Sequence, residues 1–518
     1  MRVFTGVESR AMVSRAAGAL VPLLDGIQDD SRIPLYRRLY SRLRGAILDG
    51  TLSAGHRLPS ARTLARDLGC SRVTVENAIT QLQAEGLVVR QVGAGTFVSI
   101  AVPDHVRLPR SVRPRGRAPR TQKIGASNSG GHDAEQRLSR FGQRVATTAL
   151  GLEPAVARAL IPCMPALDSF PYATWHRLLA RCSRRDGRQL LGYGDPAGYR
   201  PLREAVASYL KSARGVRCEW QQVIIVTSTQ QAVDLTASLL LDPGEQAWYE
   251  EPGYRYARAA LIAAGVDVVP IPVDGSGMRV DVGIALAPKA RLAYVTPSHQ
   301  YPLGVTMSLE RRLALLAWAR AAGAWILEDD YDSEFRYAGR PLAAVQGLDQ
   351  TGHVIYTGTF NKILFPSLRL AYLVVPPALV DAFVTARALQ EGHAPTFSQA
   401  TLTDFLVEGH FTAHIRQMRA LYRERRDALI AALAERLGDR LELGPSDTGM
   451  HVTGWLPTSC SEDTIVNQAA TKGVELRALA PLYMGTPPGP GLVLGYSSAA
   501  PAELRRAVRV LEELLAQY

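Results

Sequence analysis

Lysine is nearly absent from this chain of 518 residues. Its 59 Lys+Arg include only five lysines, Lys123, Lys211, Lys289, Lys362 and Lys472. Where a solvating charge is wanted the chain uses arginine, so a lysine inside an apolar stretch invites a chemical reading. Cysteine is also scarce: Cys70, Cys163, Cys182, Cys218 and Cys460 are odd in number and lack metal-ligand spacing. That excludes a disulfide framework and predicts reduced thiols and no metal site. No run of 18 uninterrupted apolar residues occurs, which predicts no transmembrane helix. The opening "MRVFTGVESRAMVSRAAGALVPLLDG" has too short an apolar part for a signal peptide, so a cytoplasmic protein is expected.

Acidic charge is what the first quarter lacks. Residues 1–140 hold 22 Lys+Arg against 11 Asp+Glu, and the remainder holds 37 of each. The whole net charge of +11 therefore lies in a basic module joined to a neutral body. Such asymmetry points to a nucleic-acid partner for the module. The length itself predicts two or more domains.

Within the module, "PLYRRLYSRLRGAILDGTL" places Leu35, Leu39, Leu43 and Ile47 at four-residue spacing, predicting a helix from Pro34 to near Gly50. In "LPSARTLARDLGCSRVTVENAITQLQAEGLV", Ser60 is placed to cap a short helix and Ser71 a second, with Gly69 turning the chain between them. Two helices across so short a turn predict a helix-turn-helix. "LVVRQVGAGTFVSI" then reads as a hairpin about Gly93 and Gly95. The domain is expected over 31–100. Residues 101–140, with "RLPRSVRPRGRAPRTQK" and "GASNSGGHDAE", have the composition of a tether that cannot bury enough apolar area to fold alone.

Residues 141–518 alternate strand-like runs ("QVIIVTS", "RLAYVTP", "AWILEDD", "HVIYTGT") with amphipathic helices, predicting an α/β domain around a mainly parallel sheet. Polar motifs sit where those strands end. "VTSTQQAVDL" offers free amides and the Thr229 hydroxyl at a helix start, a natural phosphate cradle. "EEPGYRYAR" carries Tyr254, "TPSHQYPLG" carries His299, "ILEDDYDSEF" carries Asp329 and Tyr331, and "TGTFNKILFPSLRLAY" carries Thr359, Asn361, Lys362 and Arg369. Only a primary amine condenses with an aldehyde to a Schiff base, which singles out Lys362. An amine, a phosphate cradle, an acid for a ring nitrogen and an aromatic plane together describe a pyridoxal-phosphate site.

Both halves resemble known families. "LPSARTLARDLGCSRVTV", "AEGLV" and "GAGTFV" are similar to the winged helix-turn-helix of GntR-type regulators, and the body is similar to fold-type-I aminotransferases, with "GYGDPAGYRPLREAVASYL" near its start. The whole resembles the MocR-type branch, in which the two are fused. The resemblance implies that Arg62, Ser71, Arg72 and Thr74 contact double-stranded DNA and that the wing glycines Gly93 and Gly95 approach it closely. Glu76 stands where some relatives carry a DNA-contacting arginine. It also implies that Lys362 holds pyridoxal 5'-phosphate covalently. Asp329 would meet the ring nitrogen, Tyr331 the phenolic oxygen, and Tyr254 would stack on the ring, with His299 nearby. Thr229, Gln230, Thr359 and Arg369 would hold the phosphate, joined by Tyr193 from the partner of a homodimer. Two positions depart from the enzyme pattern. Val493 in "GLVLGYSS" replaces the arginine that grips a substrate carboxylate, with Arg477 nearby in sequence, and Tyr301 replaces a ring-contacting asparagine. The expected function is a regulator that senses pyridoxal phosphate or an amine and binds paired DNA half-sites. The alternative is an active aminotransferase with a DNA-binding appendage.

Overall fold

The computed structural model describes residues 34–91, 93–99, 138–148, 158–338 and 343–518. Through residue 137, the tether expected over 101–140 lies outside them. The chain divides into two compact units, 1–127 and 128–518.

In the first unit, helix α1 (Leu35–Leu48) buries Leu39, Leu43 and Ile47 of the row the apolar spacing predicts, together with Ala46, while Leu35 is half-buried. Strand β1 (Arg57–Leu58) follows, then α2 (Ala61–Asp67) and α3 (Arg72–Ala84). Ser60 and Ser71 cap these two helices, their hydroxyls accepting from the amides of Thr63 and Thr74 at 3.1 Å each. Gly69 between them adopts φ 60°, a left-handed turn that costs glycine nothing. Val75, Ala78, Ile79 and Leu82 of α3 close the core against α1. Strands β2 (Val88–Gln91) and β3 (Gly95–Val98) form the wing hairpin. The sequence pattern missed β1, which pairs with β3 to make a three-stranded sheet: two residues are too few to show periodicity.

The second unit is built on an eight-stranded sheet. Its strands, in chain order, are β4 (Val223–Val226), β5 (Gln246–Glu251), β6 (Asp267–Asp274), β7 (Gly277–Met278), β8 (Leu292–Val295), β9 (Trp325–Asp330), β10 (Val354–Thr359) and β11 (Ala371–Val374). The spatial order is β4-β11-β10-β9-β8-β5-β6-β7. The ladders from β10 through β9, β8 and β5 to β6 are parallel, while β11 runs antiparallel to both its neighbours. Runs such as Val223–Val226 and Leu292–Val295 are buried at every residue, as strands covered on both faces must be. A second sheet, β12 (Glu442–Leu443), β13 (His451–Trp455), β14 (Arg477–Ala478) and β15 (Gly491–Gly495), is antiparallel in the order β12-β13-β15-β14. The α/β architecture with a mainly parallel sheet is thus the one expected. Among the described residues no helix is long and apolar enough to cross a membrane.

Candidate functional site

A cavity of about 300 Å³ opens at the carboxyl ends of the central strands, where parallel sheets gather their ligand sites. Its wall includes Thr229 and Gln230 beyond β4, Tyr254 beyond β5, Asp329 and Tyr331 at the end of β9, Thr359 at the end of β10, and Lys362 and Arg369 beyond it. Eight of the ten residues expected to hold a cofactor therefore meet around one space, although they span 141 positions of chain.

Strand alternation decides which acid faces the cavity. Successive side chains of β9 point to opposite faces. Asp330 turns away and is held by Arg214 Nε at 2.7 Å and the Tyr356 hydroxyl at 2.5 Å. Asp329 turns toward the cavity and is 3 % exposed. Its Oδ2 accepts from the Tyr294 hydroxyl at 2.6 Å, while its buried Oδ1 has no partner among the described residues. Burial raises the carboxyl to about 7, the Tyr294 hydrogen bond pulls it down, and Asp330, Asp332 and Glu250 push it up. An acid in this state suits a ligand nitrogen that brings a proton.

The anion end is built from helix α4 (Thr229–Leu240), capped by Ser228, whose hydroxyl accepts from the Gln231 amide at 3.2 Å. Thr229 and Gln230 occupy its first turn, where amides lack intrahelical acceptors and the helix dipole favours negative charge. Asn361 ties the Lys362 loop to this turn. Its Nδ2 donates to the Thr227 carbonyl at 3.1 Å, and its Oδ1 accepts from the Leu370 amide at 2.9 Å. Arg369 adopts φ 52°, a left-handed conformation unusual for a residue with a Cβ, on the cavity wall. Tyr254 is oriented by Gln230, whose Nε2 donates to its hydroxyl at 3.1 Å. These donors, the unpaired carboxylate oxygen and the lysine fit a phosphorylated pyridine aldehyde.

Two expected residues stand elsewhere. His299 does not line the cavity and reaches it through Tyr331, whose hydroxyl lies 3.0 Å from His299 Nδ1. The same nitrogen lies 3.0 Å from Asp332. Tyr193 is fully exposed, edge-on to His393, and is not on the cavity wall of its own chain. Gly449 backs onto His299 at φ 83°, and a Cβ there would come within 1.9 Å of the imidazole. Gly449→Ala is expected to displace His299 and Tyr331 and to cost about 3 kcal/mol. A thermal melt would show this as a Tm several degrees lower.

Sequence reasoning missed Tyr294, Arg255, Tyr256 and Cys163, which also line the cavity. Tyr294 was hidden in an apolar strand, Arg255 and Tyr256 lie in the motif that was read for Tyr254 alone, and Cys163 carries no motif. Arg477, which sequence proximity alone could not place, does line the cavity. It lies on β14 directly across the ladder from Val493 on β15. Val493 is fully buried among Cys163, Tyr301, Tyr331, Leu479 and Leu482.

In the first unit, Arg62 and Arg72 are exposed, while Ser71 and Thr74 are joined through their hydroxyls at 2.8 Å. Gly93 and Gly95 shape the wing tip with φ of 80° and 117°. Glu76 is engaged by Arg90 of the wing at 2.6 Å and lies 3.8 Å from Arg72.

Residues 35–98 match the family of bacterial regulatory proteins, gntR family, and residues 168–488 match aminotransferase class I and II. The probable rhizopine catabolism regulatory protein MocR of Rhizobium meliloti is 40% identical over 483 residues, 93% of this chain and 94% of that one. The chain belongs to the MocR-type regulators of the gntR family. Another relative is the HTH-type pyridoxine biosynthesis transcriptional regulator PdxR of Corynebacterium glutamicum, 30% identical over 89% of this chain and 91% of that one. Among solved structures, Pyrococcus horikoshii kynurenine aminotransferase, crystallised in complex with PMP, is similar with a TM-score of 0.68 and 26% identity. It covers 75% of the MocR-type chain and 99% of its own. The MocR-type union of a winged helix-turn-helix with a fold-type-I aminotransferase domain accounts for both units.

Proposed function

We propose that this protein is a DNA-binding transcription regulator whose aminotransferase-like unit holds pyridoxal phosphate and responds to an amine. The observation that carries the reading is Asp329 Oδ1, buried and without a partner among the described residues, on the wall of the cavity that also holds Lys362. The cofactor supplies an aldehyde carbon that condenses reversibly with a primary amine, beside a ring nitrogen that draws electrons when protonated. Lys362 would provide the resident amine, Asp329 would keep the ring nitrogen protonated, and Tyr331 would donate to the phenolic oxygen. Tyr254 would cover the ring, and Thr229, Gln230, Thr359 and Arg369 would bind the phosphate. The protein is expected in the cytoplasm. Tyr193, exposed together with Leu191 and Tyr172, supports a homodimer in which it reaches the partner's cavity and two winged helices read paired half-sites.

Arg477 supports one effector class within this reading. Val493 cannot bind a carboxylate, but a guanidinium one strand across reaches the same cavity. Arginine grips carboxylates in a bidentate pair, so an amine bearing an acidic group is the favoured effector. Arg477→Ala is expected to raise the half-effective concentration of such an amine on the order of 10²-fold, with simple alkylamines unaffected.

The reading is tested by selecting duplexes from a random DNA library with the cofactor-loaded full chain, then titrating amino acids and amines. A change of tenfold or more in duplex affinity, without continuing keto-acid release, is expected. Steady keto-acid release with no change in DNA affinity would establish the aminotransferase alternative instead.

A further inference from the structure

The recognition helix α3 carries an apolar side chain where a solvated helix has no use for one. Its buried row is Val75, Ala78, Ile79 and Leu82. At 100° per residue, the row opposite is Val73, Asn77 and Thr80, all exposed. Val73 is 67 % exposed, and among the described residues of the first unit only Val89 is another exposed large apolar side chain. Val73 follows Arg72, whose side chain is 71 % exposed, on the first turn of the helix. In a helix-turn-helix the residues of this turn approach base edges most closely. The charged neighbour on the same face is held back: Glu76 is engaged by Arg90 and lies close to Arg72, so it does not compete for the groove opposite Val73.

We propose that Val73 is a specificity-determining residue that reads the 5-methyl group of a thymine in the major groove. The inference rests on the DNA-binding reading of this unit. Within the major groove the thymine methyl is the apolar feature, and it is the one a valine can recognise. The thymine would neighbour the guanine whose O6 and N7 suit Arg72. Burying one methyl against Val73 is worth about fourfold in affinity per half-site. Two half-sites on a dimer multiply this to on the order of tenfold. Val73→Ala leaves the core row of α3 untouched, so the variant is expected to fold and melt as the parent does.

The test uses the full chain loaded with pyridoxal phosphate and a duplex selected from a random library by the parent protein. Each thymine of that duplex is replaced in turn by deoxyuridine, which deletes only the methyl. The expected result is one thymine per half-site at which the parent loses about fourfold and Val73→Ala loses nothing. Repeating the selection with Val73→Ala should relax the preference for thymine at that position alone. The proposal is overturned if no deoxyuridine weakens the parent, or if Val73→Ala loses as much as the parent at the same base. A parent chain that enriches no sequence at all overturns the DNA-binding reading, and this proposal with it. Those two failures differ, because the first still leaves a selected duplex in hand.

Discussion

Mixed with pyridoxal phosphate, the Lys362→Ala chain is expected to show no protein-dependent visible absorption band, whereas the parent shows one. Lys362 lines the cavity together with Thr229 and Thr359, just beyond the end of β10. Its loop is fixed by Asn361, which bonds the Thr227 carbonyl and the Leu370 amide, so the amine is held in place before any ligand arrives. Among the described residues the three other lysines, Lys211, Lys289 and Lys472, do not line this cavity. The substitution removes a covalent bond while leaving the phosphate contacts, so the cofactor should still bind, more weakly by on the order of 10²-fold. Lys362→Arg provides the control for charge. A guanidinium keeps the positive charge but does not condense with an aldehyde at neutral pH. Loss of the band in both variants, with unchanged melting of the cofactor-free protein, is the expected result. A band retained in Lys362→Arg would place the reacting amine elsewhere.

Asp329→Asn should weaken pyridoxal phosphate on the order of 10²- to 10³-fold and remove a pH dependence of cofactor binding. Removing one partner of a buried, charge-paired contact has costs of this size. The sign of the pH effect follows from the direction of the shift. Burial first, then Asp330, Asp332 and Glu250, raise the Asp329 carboxyl to about 7, with the Tyr294 hydroxyl acting the other way. The folded protein therefore disfavours the ionised acid, and the stability associated with this group is lost as pH rises from about 4 to about 7. The difference between 3.8 and about 7 corresponds to about 4 kcal/mol. A protonated ring nitrogen meeting Oδ1 relieves that cost once the carboxylate is charged. The Tm increase on adding pyridoxal phosphate should accordingly be larger at pH 8 than at pH 5 in the parent. The difference should largely vanish in Asp329→Asn. Glu250 and Glu328, also raised to about 7 by burial, should leave a residual decline of cofactor-free stability over the same range in both proteins. An equal Tm increase at both pH values in the parent would rule out Asp329 as the partner of the ring nitrogen.

The sequence by itself determined the elements and the chemistry available to them. Helix α1 follows from apolar residues at four-residue spacing, α2 and α3 from two capping serines and a turn glycine, and the sheet from short apolar runs. All of these are local relations, and local steric and capping preferences act within a few residues. A scarce lysine among abundant arginines marked Lys362 for the same reason, since residue type is itself chemical information. Tertiary structure decided what those residues face. Of the adjacent acids, Asp329 rather than Asp330 points into the cavity, because Arg214 and Tyr356 claim the latter across distances of 116 and 26 residues. His299 was displaced from the cavity wall by its bond to Asp332, and Cys163 was brought within 3.5 Å of His451 across 288 residues. Spacing likewise could not show that His299, Asp332 and His451 would pack with their ligand atoms within 4.8 Å of one another. Arg477, a candidate by nearness in sequence to Val493, was placed on the cavity wall only by the pairing of β14 with β15 opposite Val493. Strand register and the packing of distant segments are set by the whole core at once, and no window of sequence contains them.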